Sequence, residues 1–301
     1  MTSADKLGGT ERIMTYTLQT AMSTAECSDR GGELISFVTD GIEYVWDGDS
    51  KYWSGQAPHL FPAVCSSLNG KVTYDGVEYP MPKHGIVRGE RFKVVELAPD
   101  FIVFEHKWSE ETLKNYPAKY TLRVAHRLSE NGFSTTYTVT SENDAVFCLG
   151  GHPAFRVPLP EGGEFEDYVL RFQNARGAVM SVTKNGYMDD SVPKLHRIKD
   201  NILPLKYSDF DEDAMIIEKL PSKVVDLVST VDGHGFRFRF KGFDALGVWT
   251  PIKLNAPFVC LEPWCGLPAN VKESGLAEDK KYAKKISAGE EFTVGYSVSV
   301  I

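Results

Sequence analysis

Tyr120-Thr121-Leu122-Arg123-Val124-Ala125-His126-Arg127-Leu128 leads, through Glu130-Asn131-Gly132, into Phe133-Ser134-Thr135-Thr136-Tyr137-Thr138-Val139-Thr140. Apolar residues recur at every second position on both arms, the period of a strand with one face buried. Asn-Gly supplies the left-handed backbone that a tight hairpin turn demands. The segment therefore predicts two antiparallel strands joined by a short turn. Residues 15–19, 33–39, 101–107, 236–240 and 292–300 alternate in the same way or are rich in β-branched and aromatic residues. Turn signals separate such segments at Asp75-Gly76, Lys184-Asn185-Gly186 and Asp232-Gly233. Helical periodicity is scarce, with short candidates only around 211–217 and 277–285. Many closely spaced strands predict an all-β chain folded as a sandwich or barrel.

No long linker or repeat divides the chain, and the Pro/Gly-rich stretch at 158–163 reads as a loop. The expectation is one β domain over 13–301, preceded by a disordered lead-in at 1–12. The 301 residues are 42% hydrophobic, enough for a substantial core. Their 33 basic and 41 acidic residues leave a formal charge of −8 without a basic block, which argues against nucleic acid or anionic membranes as partners. No apolar run reaches membrane-spanning length, and the first ten residues lack a signal-peptide core. Five irregularly spaced cysteines suit a reduced, cytoplasmic setting better than a disulfide framework. With no Cys-x-x-Cys or His-x-x-x-His pair, no metal site is expected.

Four segments could carry chemistry. In Phe258-Val259-Cys260-Leu261-Glu262-Pro263-Trp264-Cys265-Gly266, an apolar strand runs to an acid beside an aromatic face. Pro263 cannot donate a ladder hydrogen bond, so the strand is expected to end or bulge there. Glu262 is either used chemically or held by backbone amides at a turn. Trp264 offers a surface on which a sugar could stack. In Gly150-Gly151-His152-Pro153, the proline holds His152 extended, as a candidate general acid or base or as a turn histidine bonded to a carbonyl. In His84-Gly85-Ile86-Val87-Arg88, two glycine-flanked basic groups could reach one pocket, the Arg presenting a fixed fork of donors. Asp211 or Asp213, before the apolar run Ala214-Met215-Ile216-Ile217, could cap a helix. His59, His106, His126, His196 and His234 lack such context and read as surface or structural. No serine-hydrolase or nucleotide-binding motif occurs.

Taken in order, these segments resemble the aldose 1-epimerase (galactose mutarotase-like) family, nearest its LacX-type bacterial branch. Ala57-Pro58-His59-Leu60-Phe61-Pro62, Asp213-Ala214-Met215-Ile216 and the tail Ala288-Gly289-Glu290-Glu291-Phe292 match as well, so the resemblance runs from about residue 13 to the end. It implies a large antiparallel β-sandwich, the supersandwich, with a sugar in an open cleft. It also implies Glu262 as base, His152 as acid, and His84, Arg88 and Asp213 as sugar contacts, with Trp264 as a cleft wall and no cofactor. The implied reaction interconverts α and β hexose anomers, with Glu262 ionised and His152 cationic at the start. The implied partner is a small-molecule aldohexose or its phosphate, and the implied assembly is a monomer or homodimer. Alternatives are a hexose-6-phosphate 1-epimerase of the same fold and a non-catalytic carbohydrate-binding protein. Two positions depart from the branch: Ser66 stands where an Arg contacts substrate, and Ala269 or Asn270 where an Asp is common.

Overall fold

The computed structural model describes residues 12–192 and 194–301. The expected lead-in therefore lies almost wholly outside the described residues. Two antiparallel sheets dominate. The larger has nine strands, in the order Ile202–Pro204, Tyr168–Phe172, Val224–Ser229, Gly235–Arg239, Glu291–Val300, Gly132–Ser141, Tyr120–Ser129, Phe101–Lys107 and Lys93–Ala98. The hairpin anticipated from Asn131-Gly132 is its longest arm pair, in register from Tyr120 opposite Ser141 to Ser129 opposite Gly132.

The second sheet runs Val179–Val182, Met215–Glu218, Ala245–Trp249, Phe258–Cys265, Leu149–Gly151 and His59–Leu60, with Ala154–Arg156 also pairing to Phe258–Cys265. Its inner face meets the large sheet in a shared core. Phe155, for example, packs on Phe236 with ring centroids 4.5 Å apart. Every ladder between these strands is antiparallel, as alternating one-face burial predicts.

Phe258–Cys265 is buried along its whole length, which hides its alternation from the sequence. Val259, Leu261 and Cys265 enter the shared core. Cys260 and Trp264 turn to the outer face and belong to two smaller apolar clusters. Glu262 shares their face and sits between those clusters, on a floor covered from both sides.

The strand does not stop at Pro263. The Leu261 N–H donates to the Pro153 carbonyl at 3.2 Å, so position 263, two residues on, looks toward the same neighbour. Opposite Pro263 on that side stands Gly151, the last residue of its short strand, so the missing donor leaves one ladder bond unmade without ending the strand.

Neither helix candidate forms. Residues 211–217 follow the 3-10 turn Tyr207–Phe210 and run into the strand Met215–Glu218. Ile216 and Ile217 are fully buried between two neighbouring strands, an environment that β-branched residues suit. Residues 277–285 form the 3-10 turn Ala277–Asp279 and then a short strand, Lys284–Ile286, paired with Ala145–Phe147. Asp211 caps nothing at an N-terminus; it follows the first of these 3-10 turns.

His59 and His126 form one structural unit. Their Nε2 atoms lie 2.9 and 2.8 Å from the same Gly32 carbonyl oxygen. A carbonyl only accepts, so both rings donate through Nε2–H, and Nδ1 accepts from Tyr137 Oη and Thr135 Oγ1 respectively. Burial holds the pKa of His59 down to about 3 and that of His126 to about 4. In the unfolded chain both take up protons below about 6.5. Between that value and about 4, the unfolded state thus binds more protons, and stability falls as pH falls, by about 1.4 kcal/mol per pH unit for each histidine. The urea midpoint should drop steeply from pH 7 to 5. His126→Gln, which retains a donor for Gly32, should flatten that slope. An unchanged slope would show that the histidines are not its source.

Candidate active site

The outer face of the second sheet carries a cleft lined by Trp53, Cys65, Lys83, His84, Arg88, His152, Thr183, Asp213, Trp249, Glu262 and Trp264, among others. Its cavity volume is about 160 Å³, below the usual ligand-pocket range of roughly 300–1,000 Å³, so it is a shallow cleft that takes part of a small molecule. Larger hollows lie elsewhere, such as one of about 420 Å³ beside Met188 and Lys281. There the charged groups pair with one another, as in Lys281–Glu218 and Lys280–Glu273. The smaller cleft is where unpaired polar groups converge.

Strand register builds the centre of the cleft. Gly150 pairs with Trp264, and Ala154 with Cys260. Both pairs have the same offset, so His152 stands directly across from Glu262. Their Nε2 and Oε2 atoms are 3.2 Å apart. The two residues are 5% and 2% exposed, so water does little to screen them. The His152 N–H is anchored to the Pro58 carbonyl at 3.0 Å, which ties the histidine to the His59–Gly32 unit. On the other flank Glu262 faces Gly247, whose missing side chain leaves room for the Trp264 ring: a Cβ there would lie 2.5 Å from it.

Burial is the largest influence on both groups. It pushes the Glu262 carboxyl well above the usual carboxylate range, Asp213 adding to the rise while Lys83 and Arg88 oppose it. It pushes the His152 imidazole well below its usual range, assisted by His84 and Arg88. The sequence expectation of an ionised Glu262 facing a cationic His152 therefore does not describe the resting site, where the uncharged pair is favoured. Among the described residues, Glu262 Oε2, His152 Nδ1 and Trp264 Nε1 are buried without an aligned hydrogen bond, the 3.2 Å approach of Glu262 Oε2 to His152 Nε2 included. The Trp264 indole N–H nevertheless lies close enough to Glu262 to favour its carboxylate. Unpaired buried polar atoms are rare, and three around one cleft mark a place prepared for a polar ligand.

His84 enters from a loop that the sequence did not resolve. Its backbone is left-handed, with φ +68°, and Gly85 follows at +82°. The loop packs on the chain at Phe61, where Ile86 N–H donates to the Phe61 carbonyl at 2.8 Å. The Cys65 N–H donates to His84 Nδ1 at 3.2 Å, which leaves Nε2 to carry the proton of the neutral ring. Burial, with Lys83 and Arg88 nearby, lowers the His84 pKa to about 3, so the ring is a neutral donor.

Arg88 lies 5.7 Å over the Trp53 ring. Trp53 in turn stacks on His152 at 4.9 Å and 27°, while Trp249 meets His152 edge-on at 5.5 Å. The fold thus brings Glu262, His152, His84, Arg88, Asp213 and Trp264 around one cleft. Trp264 forms its floor and is fully buried. Trp53, Cys65 and Thr183 were not anticipated: Trp53 lies in the polar stretch Lys51-Tyr52-Trp53-Ser54-Gly55, whose only signal was an aromatic in a loop. Ser66 places its hydroxyl against Gly186, beside the cleft wall.

The model of the aldose 1-epimerase family matches residues 14–287. The chain belongs to the aldose 1-epimerase family. Among relatives of this epimerase-family protein is the plasmid-encoded Protein LacX of Lactococcus lactis subsp. lactis, 35% identical, with 96% of this chain and all of the relative covered. A galactose mutarotase-like protein from Lactobacillus casei is 30% identical and superposes with a TM-score of 0.88, over 96% of this chain and all of that one. A galactose mutarotase related enzyme from Lactobacillus acidophilus is 28% identical, with a TM-score of 0.90 over 96% and 97% of the two chains. The supersandwich expected from the sequence is the fold these relatives share. Among the described residues of this epimerase-family chain, the side chains suited to a metal ion are His152, Cys260 and Glu262.

Proposed function

We propose that this protein is an isomerase that interconverts the α and β anomers of an aldohexopyranose. The observation that carries the reading is the opposed His152–Glu262 pair, 3.2 Å apart and buried at a cleft floor. In a pyranose the anomeric hydroxyl oxygen and the ring oxygen are bonded to the same carbon. A base for one and an acid for the other must therefore be near neighbours, as cross-strand partners are.

Without sugar, burial favours the uncharged pair. Sugar hydroxyls donating to Glu262 replace lost water and favour its carboxylate, passing the proton to His152. Glu262 then takes the proton of the anomeric hydroxyl, the C1–O carbonyl forms, and the C1–ring oxygen bond breaks. The ring oxygen takes the proton of His152. The pair again carries one proton, now on Glu262. Rotation about C1–C2 presents the other carbonyl face, and reversal of the steps closes the other anomer. Neutral His84 donates through Nε2–H, Arg88 and Asp213 hold hydroxyls, and Trp264 walls the cleft. Polarimetry with fresh α-glucose and α-galactose tests the reading; rates equal to the buffer background for a panel of aldoses would refute it and leave a sugar-binding protein.

Lys83 and Arg88 are exposed at the cleft and form no ion pair among the described residues. That favours one second reading, a hexose 6-phosphate substrate whose phosphate they hold. Arg88→Ala should raise KM about tenfold or more with kcat little changed, since Arg88 binds ground state and transition state alike. A pure kcat loss would contradict a binding role. Faster turnover of glucose 6-phosphate than of glucose, with the advantage lost in Arg88→Ala, would select the phosphorylated substrate.

A further inference from the structure

The floor of the cleft places a third donor beside the acid–base pair. Cys260 precedes Glu262 by two residues on one strand, so both side chains leave the same face, and His152 stands across from Glu262 in the facing chain. The ligating atoms of His152, Cys260 and Glu262 all lie within 4.8 Å of one another. We propose that this trio is a binding site for a thiophilic divalent cation such as Zn²⁺, which occupies the anomeric position and blocks the sugar.

One imidazole, one thiolate and one carboxylate form a donor set that Zn²⁺ and Co²⁺ favour, and three protein ligands leave a fourth tetrahedral position open. Two of the three, His152 and Glu262, line the cleft. Two further observations support it. His152 Nδ1 is buried without a hydrogen-bond partner among the described residues, and Glu262 Oε2, 3.2 Å from its fellow ligand His152 Nε2, makes no aligned hydrogen bond. The His152 ring is held by Trp53 stacked on one side and Trp249 edge-on, and such positioning reduces the ordering cost of ligation. Burial favours the neutral imidazole that a metal needs.

The block on sugar rests on the proposed epimerase reading; the metal site does not. The test therefore uses two independent readouts on the full chain. The first is titration with Co²⁺ alone, followed by the near-ultraviolet thiolate-to-metal band and the visible tetrahedral bands. One equivalent should bind with a thiolate band, and both features should be lost in Cys260→Ala and Cys260→Ser while Cys65→Ala retains them. No stoichiometric binding, or a thiolate band that survives Cys260→Ala, overturns the proposal. A circular dichroism melt of each variant separates lost ligation from lost folding; should Cys260→Ala unfold, Cys260→Ser decides. The second readout is mutarotation. Zn²⁺ should inhibit the parent in competition with sugar, a chelator should reverse it, and Cys260→Ser, read against its own metal-free rate, should need at least tenfold more Zn²⁺ for half inhibition. Equal Zn²⁺ sensitivity of parent and Cys260→Ser overturns the block. Stoichiometric Co²⁺ binding without any mutarotation supports the site and defeats only the epimerase reading.

Discussion

Glu262→Gln should lower kcat at least about 100-fold while sugar affinity changes little. The amide keeps the shape of the carboxyl but can neither take nor hold the proton that must leave the anomeric hydroxyl. Steady-state polarimetry across sugar concentrations separates the two effects; a mutant as fast as the parent would remove Glu262 from the chemistry. The pH dependence of the parent carries the same information. Productive enzyme has one proton on the His152–Glu262 pair, so kcat/KM should be bell-shaped, with limbs that belong to the coupled pair. Burial lowers His152 and raises Glu262. The acid limb, where His152 gains the second proton, should then fall below the ordinary imidazole value. The alkaline limb, where Glu262 loses the last one, should fall above the ordinary carboxylate value. A single activity loss centred near the usual imidazole pKa would mean that the pair is not coupled in this way.

Gly85→Ala should be the most damaging small substitution near the cleft. A Cβ at Gly85 would lie 2.1 Å from the Phe61 carbonyl oxygen and 2.3 Å from its carbonyl carbon. Both are backbone atoms, so no side chain can swing aside, and φ of +82° is itself strained for an L-residue. Local rearrangement should cost about 3 kcal/mol of stability. It should also displace His84, whose Nδ1 is bonded to the Cys65 N–H across the same packed pair of loops. The expected result is a lower urea midpoint together with a raised KM. A variant with parent-like stability and KM would show that the loops can separate without consequence. Gly89, whose Cβ would meet nothing closer than 3.9 Å, serves as the neighbouring control.

The predicted hairpin and the buried Ile216-Ile217 show where local pattern suffices and where it fails. Between 120 and 140 the period of two, the Asn-Gly turn and β-branched residues agree, and the hairpin forms in the implied register. At 211–217 an acidic stretch before a short apolar run suits a capped helix or a buried strand equally well. The choice falls to the strands on either side, which lie thirty or more residues from Ile216 in sequence at Met180–Ser181 and Leu246–Gly247. Pro263 misled for a related reason: one missing donor does not end a strand whose ladders on both sides are held by its neighbours.

The amino-acid sequence by itself determined that the chain is built of strands, that it has the segments of an epimerase family, and that Glu262, His152, His84, Arg88 and Asp213 are the residues to look for. Side-chain periodicity and short motifs are local, and they survive without knowledge of the partners. Only the tertiary structure decided that His152 faces Glu262, because that requires the offset of two ladders joining segments about 110 residues apart to coincide. It alone decided that Trp53 stacks on His152 and that Cys260 joins the pair. It also decided the direction in which each proton affinity moves. Burial sets that direction, and burial is a property of what surrounds a residue rather than of the residue itself.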